Sequence, residues 1–196
     1  MIGSGDREHP FNGAGTTTNP LINAVTNRYY MIKDRNTGFT YSGATIAEGG
    51  LYDMTNTLTS AQISAANSAL AGAQGWYITL LTGEKVVSSS VTLGGATFFN
   101  TNQPTAPAPG VCTGNLGIAR EYSVNFQTGG PISPLNGAAN SSRFLVHAGG
   151  GYPPSPVAAI VSIGGKLQQV LISGTSVRQP PAALIGARIR TFWNQK

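Results

Sequence analysis

Cysteine is nearly missing from this sequence. Cys112 stands alone among 196 residues, so neither an intrachain disulfide nor a cysteine-based zinc site is possible. Two histidines and seven acidic residues leave little material for acid–base catalysis or metal binding, and only 10% of the residues carry charge. Nor does any apolar run approach the ~20 residues a membrane-spanning helix needs. The opening MIGSGDREHP lacks the basic and apolar regions of a signal peptide. The chain has no Gly-x-Gly-x-x-Gly ahead of a helix, no P-loop, no serine nucleophile elbow and no His-Glu-x-x-His. Those absences remove the common nucleotide-binding, hydrolase and metalloprotease chemistries, and nothing resembles a nucleic-acid motif.

Glycine and proline, by contrast, are plentiful, at 26 and 12 residues. Many tight turns and few long helices follow, which favours an all-β class. The polar surface is built from Ser, Thr, Asn and Gln, a chemistry common in extracellular β proteins. The most informative stretch runs from Gly75 to Thr101. Trp76, Ile78 and Leu80 alternate with Tyr77 and Thr79, Thr82-Gly83 supplies a turn, Val86 to Leu93 is β-branched, and Gly94-Gly95 turns into Ala96 to Asn100. This predicts a blade-like antiparallel meander with Trp76, Ile78, Val91 and Phe98 buried.

Elsewhere, Arg28 to Lys33, Phe39 to Ser42 and Leu51 to Thr55 read as strands of a first blade. Ala119 to Phe126, Arg143 to His147, Ala158 to Ile163, Leu167 to Ile172 and Ala187 to Trp193 follow later. Thr59 to Gly72 is the one convincing helix: Thr59 and Gln62 have capping-box spacing, and Ile63, Ala66 and Leu70 fall on one face. That stripe suits packing across the edge of the next blade. Phe11 to Thr26, Thr101 to Gly117 and Gln127 to Ser142 read as loops.

Five segments follow one another along the chain: GSGDREHP at Gly3 to Pro10, NRYYMIKD at Asn27 to Asp34, the Gly75 to Thr101 stretch, GGGYPPSPV at Gly149 to Val157, and RIRTFWNQ at Arg188 to Gln195. In this order they resemble the C-terminal β-propeller of the PilC/PilY family of type IV pilus assembly factors and tip adhesins. The resemblance spans nearly the whole chain and implies that residues 1–196 form the C-terminal portion of such a propeller domain. Ten to twelve strands make roughly three blades with one short helix, whereas propellers close with four to eight. Three solutions stay open: a ring completed by blades from elsewhere, a compact sandwich, or an arc held by neighbours. The unblunted strands Val86 to Leu93 and Arg188 to Trp193 would then seek pairing partners.

The resemblance further implies a non-enzymatic module that primes pilus assembly, opposes retraction and contacts host or abiotic surfaces. Its partners would be minor pilins and the pilus tip, and its place the cell surface, reached through the periplasm. Members of the family bind calcium in an EF-hand-like loop, expected upstream of Met1, so no cofactor is expected in this segment. A family cysteine often pairs at the position of Cys112; with no second cysteine here, a packed free thiol is expected. Two other function classes are a surface β domain of a filament or virion, and a quinoprotein-like propeller enzyme. The enzyme would need a ring of Trp, Asp and metal, for which Trp76, Trp193 and the sparse acids are poor material.

Individual residues yield no catalytic, cofactor or metal site. Asp6, Arg7, Glu8 and His9 cluster as a hydrolase site might, but a β-turn with Asp6 bonded to nearby amides explains them better. His147 lacks an acidic sequence neighbour and reads as structural. Asp34-Arg35-Asn36-Thr37-Gly38 offers two oxygen ligands and no later carboxylate, so it reads as a turn. Gly149-Gly150-Gly151 precedes Tyr152-Pro153-Pro154 and opens no helix, which makes it a turn too. After Glu121 only Arg143, Lys166, Arg178, Arg188, Arg190 and Lys196 are charged, within a net charge of +5. Either these draw an anionic partner or they are solubility charge spread over several strands.

Overall fold

The computed structural model describes residues 1–5, 26–34, 45–105, 110, 116–132, 142–174 and 176–179. Four strands form the first sheet: β1 (Ile2–Gly3), β2 (Arg28–Ile32), β3 (Tyr52–Asp53) and β4 (Gly75–Thr79), in the order β1-β2-β4-β3. Period-two alternation puts Tyr29 and Met31 of β2 and Trp76 and Ile78 of β4 on one buried face. Tyr29 stands opposite Ile78 and Met31 opposite Trp76 in the antiparallel ladder.

Strand β3 runs parallel to β4, with Tyr52 opposite Trp76, which departs from the expected purely antiparallel meanders. Parallel neighbours need a crossover, and the helix α1 (Ser60–Gly72) supplies it. Its start is the predicted capping box: the Thr59 hydroxyl accepts from the Gln62 N–H, and the Gln62 side chain accepts from the Thr59 N–H. Ala66 and Leu70 are buried and Ile63 packs against the same cluster, as the stripe requires. Because the box satisfies otherwise orphaned donors, Thr59→Ala is expected to cost about 1 kcal/mol. Urea unfolding measures it, and an unchanged midpoint would show that the cap contributes nothing.

The second sheet contains β5 (Lys85–Val86), β6 (Val91–Leu93), β7 (Ala96–Gln103), β8 (Ile118–Asn125) and β9 (Phe144–His147). β7 pairs with β8, β8 with β9, and both β5 and β6 lie on the other side of β7. The Gly75 to Thr101 stretch is therefore not one meander: β4 belongs to the first sheet and β5 to β7 to the second. The turn at Thr82-Gly83 carries the chain between sheets rather than closing a hairpin. Val86 to Leu93 is likewise not one strand. Lys85 pairs with Asn102 and Val86 with Thr101, yet Val91 pairs with Phe98, so Val87 to Ser90 face only Phe99 and Asn100. This bulge is stitched by the Ser88 hydroxyl, which accepts from the Asn100 N–H at 2.7 Å. Gly94 (φ 59°) and Gly95 (φ 89°) form the predicted two-residue hairpin turn, whose central positions need positive φ.

The third sheet is the antiparallel set β10 (Val157–Ile163), β11 (Lys166–Ser173) and β12 (Ser176–Arg178). Here β12 was not expected from the sequence, while the expected strands Phe39 to Ser42 and Ala187 to Trp193 lie outside the described residues.

The three sheets stack in chain order. One core cluster joins Tyr29, Met31, Trp76 and Ile78 of the first sheet to Phe99, Tyr122 and Val124 of the second. The opposite face of the second sheet puts Ala96 and Phe98 against Leu171 of β11. β7 and β8 are therefore buried on both faces almost throughout. Of the residues expected in the core, Trp76, Ile78 and Phe98 are buried, but Val91 on the edge strand β6 is only half-buried.

Aromatic stacking knits the first interface. The Tyr29 and Phe99 rings lie 3.7 Å apart and nearly parallel, and Phe99 stacks on Tyr122 at 4.8 Å. Burial pushes the Tyr29 hydroxyl up to about 12, against a lesser lowering by a hydrogen bond with Ser90. Below pH 10 folded and unfolded chains both keep this proton. Between pH 10 and about 12 the unfolded phenol ionises while the folded one does not, so stability falls across that window. Tyr29→Phe should flatten the alkaline decline in a denaturation series. An unchanged slope would mean that Tyr29 ionises as freely in the fold as outside it.

Candidate functional site

Buried polar groups are concentrated around the second sheet. Glu84, fully buried, accepts from the Leu81 N–H at 3.0 Å, the Tyr122 hydroxyl at 3.1 Å and the Thr101 hydroxyl. Arg120 approaches it at 3.5 Å. Arg120 also donates to Gln103 and lies 5.2 Å from the centre of the Phe144 ring. With its carboxylate so filled, Glu84 is a structural anchor between the first two sheets. Burial first, and the Glu84 charge second, push the Tyr122 hydroxyl far above its usual range.

On the other face, Asn100 donates to the Pro154 carbonyl at 2.7 Å and the Ser173 hydroxyl at 3.1 Å, tying the second sheet to the third. Glu121 lies 3.5 Å from His147 and 3.8 Å from Arg178. His147 thus has the acidic neighbour in space that it lacks in sequence. Two cations of the basic C-terminal half are used internally: Arg178 against Glu121, and Arg143, which is buried and bonded to carbonyls. The anionic-partner reading loses both, and of the described cations after Glu121 only Lys166 is exposed.

A groove of about 400 Å³ between α1 and the end of β8 combines apolar walls with polar side chains. Met31, Leu70 and Ala71 contribute to its walls with Phe126, while Lys33, Asn67, Gln127 and Thr128 supply its polar atoms. Local structure holds each part. The Lys33 ammonium donates to the Leu70 and Ala73 carbonyls, capping the C-terminal end of α1 where the helix dipole is negative. The Phe126 carbonyl accepts from the Trp76 indole at 3.2 Å. The Asn125 side chain accepts from the N–H groups of Gln127 and Thr128, a turn that fixes the rim.

The groove is not legible in the linear sequence, although two features of the sequence mark it. Asn67 interrupts the apolar stripe of α1, three residues before Leu70 and four after Ile63. Phe126 continues the alternation of Tyr122 and Val124 one step past the end of its strand, where it is 38% exposed.

Asp6 to His9, Arg35 to Gly38, Cys112 and Trp193 lie outside the described residues. Gly149, Gly150 and Gly151 do form a turn, at φ 90°, 65° and 87°. Among the described residues no three of His, Cys, Asp and Glu gather as metal ligands. No helix among them is long and apolar enough to cross a membrane.

No family model matches this sequence, and no curated protein does. Among solved structures, the chain is similar to the C-terminal domain of PilY1 from Pseudomonas aeruginosa, with a TM-score of 0.49 at 13% sequence identity. That similarity covers 85% of this chain and 40% of the other, so the chain spans less than half the length of the structure it resembles.

Proposed function

We propose that this chain is a non-enzymatic assembly and adhesion module of the type IV pilus, acting at the pilus tip on the cell surface. It would prime assembly with minor pilins, oppose retraction and touch host or abiotic surfaces. The observation that supports this reading is the placement of the motifs. NRYYMIKD contains β2, GWY opens β4, VTLGGATFF makes the β6–β7 hairpin and GGGYPP turns into β10. These segments fall on three sheets stacked face to face in chain order, as successive propeller blades are. A quinoprotein-like enzyme is disfavoured because Trp76 is wholly buried and its indole N–H is committed to Phe126, so its face is closed to a cofactor.

The test is a deletion of the encoding reading frame in its own host, followed by electron microscopy of surface pili and pull-down of minor pilins by the purified protein. Fewer pili, restored when retraction is also disabled, together with capture of a minor pilin, are expected. Normal piliation with no pilin captured would exclude the assignment.

A further inference from the structure

We propose that the groove between α1 and the end of β8 binds a neutral saccharide, one or two pyranose rings long. A pyranose presents two chemistries at once: a face of C–H groups that rests on the electron-rich face of an aromatic ring, and an edge of hydroxyls that both donate and accept. The groove offers the matching pair. Phe126 is 38% exposed at its wall, with Met31 and Leu70 buried beneath. Around it stand Asn67 and Gln127, whose amides each combine two donors with an acceptor and make no hydrogen bond to a described residue, and the Thr128 hydroxyl, which accepts only from the Gly130 N–H at 3.3 Å.

Charge and size exclude the other small-ligand classes. Lys33, the one cation lining the groove among the described residues, is turned to the Leu70 and Ala73 carbonyls, and the negative end of the α1 dipole lies on the same side, which disfavours an anion. Among the described residues no carboxylate lines the groove to hold a cation. An acyl chain or apolar side chain filling it would strip water from three polar side chains and return no hydrogen bond. A volume of about 400 Å³ falls within the range of small-ligand sites. The Asn125 side chain already fixes the backbone at Gln127 and Thr128, so binding has to order side chains and not the rim itself.

This inference does not rest on the pilus assignment, and its test is separate. The purified full chain is examined by saturation-transfer NMR and amide-shift mapping against methyl β-glucopyranoside, methyl β-galactopyranoside, methyl α-mannopyranoside and diacetylchitobiose. Decanoate and N-acetyl-leucinamide serve as apolar competitors. At least one sugar should receive saturation on its ring protons and shift the amides of Asn67, Gln127 and Thr128. Phe126→Ala should weaken binding about tenfold, as loss of an aromatic contact does. Phe126→Trp should retain it. Asn67→Ala and Gln127→Ala, both at exposed positions where folding is not at stake, should each weaken it several-fold. The proposal is overturned if no sugar of the panel binds, if a bound sugar ignores Phe126, or if an apolar competitor alone occupies the groove. The pilus assignment keeps its own test whichever of these outcomes is found.

Discussion

Replacing Trp76 by alanine is expected to destabilise the fold by about 3–5 kcal/mol, the cost of a large core truncation whose cavity cannot collapse. The indole is wholly buried, and three constraints keep its surroundings from closing in. Tyr29 packs at 6.3 Å on one side. Gly129, in a left-handed conformation at φ 65°, lies so near that a Cβ there would come 2.9 Å from the ring. The indole N–H donates to the Phe126 carbonyl, which the substitution leaves without that partner. Trp76→Phe should recover part of the loss by refilling volume without restoring the hydrogen bond. Urea denaturation measures both. A Trp76→Ala loss under about 1 kcal/mol would mean that the sheets repack freely around the gap.

Loss of Arg143 is expected to be comparably severe. This buried guanidinium donates to four backbone carbonyls: Gly129 at 2.8 Å, Thr55 at 2.7 Å, Thr57 at 2.7 Å, and Met54. It fastens the chain ahead of α1 to the start of β9, across more than eighty residues of sequence. Burial pushes its pKa down to about 10, so it remains charged at neutral pH. Arg143→Met keeps much of the volume but orphans four acceptors, for an expected cost of about 3–5 kcal/mol. Arg143→Lys should rescue little, because one ammonium cannot reproduce the flat fork that reaches four carbonyls at once. Faster amide exchange at Met54 and Thr57 in both variants would accompany the loss. Wild-type exchange there, with a stability change under about 1 kcal/mol, would show the clasp to be dispensable.

The neighbouring charges explain why the basic C-terminal half misleads as a sequence feature. After Glu121 every charged residue is a cation, and in a linear reading these look like an outward-facing set. In the fold, Arg143 turns inward to carbonyls and Arg178 meets Glu121 from the adjacent sheet. Such internal use is costly to lose because removing one partner leaves the other buried and unpaired.

Features set by near neighbours along the chain can be read from residue order alone. The Thr59 and Gln62 box started α1 where expected, because a cap involves residues three apart. Gly94-Gly95 turned the β6–β7 hairpin, because only positive φ at both positions closes it. Alternation on β2 and β4 placed Tyr29, Met31, Trp76 and Ile78 on one face, because side chains repeat every two residues along a strand. Which strands become neighbours depends instead on long-range packing. Local pattern made β4 look like the first strand of a meander, but its edges pair with β2 on one side and β3 on the other, with α1 as the crossover that makes β3 and β4 parallel. The bulge at Val87 to Ser90 was equally hidden, since it depends on where Asn100 falls across the ladder. The groove was hidden for the same reason. Lys33, Asn67 and Phe126 are separated by long stretches of sequence, and only the packing of α1 against the end of β8 brings them to one place.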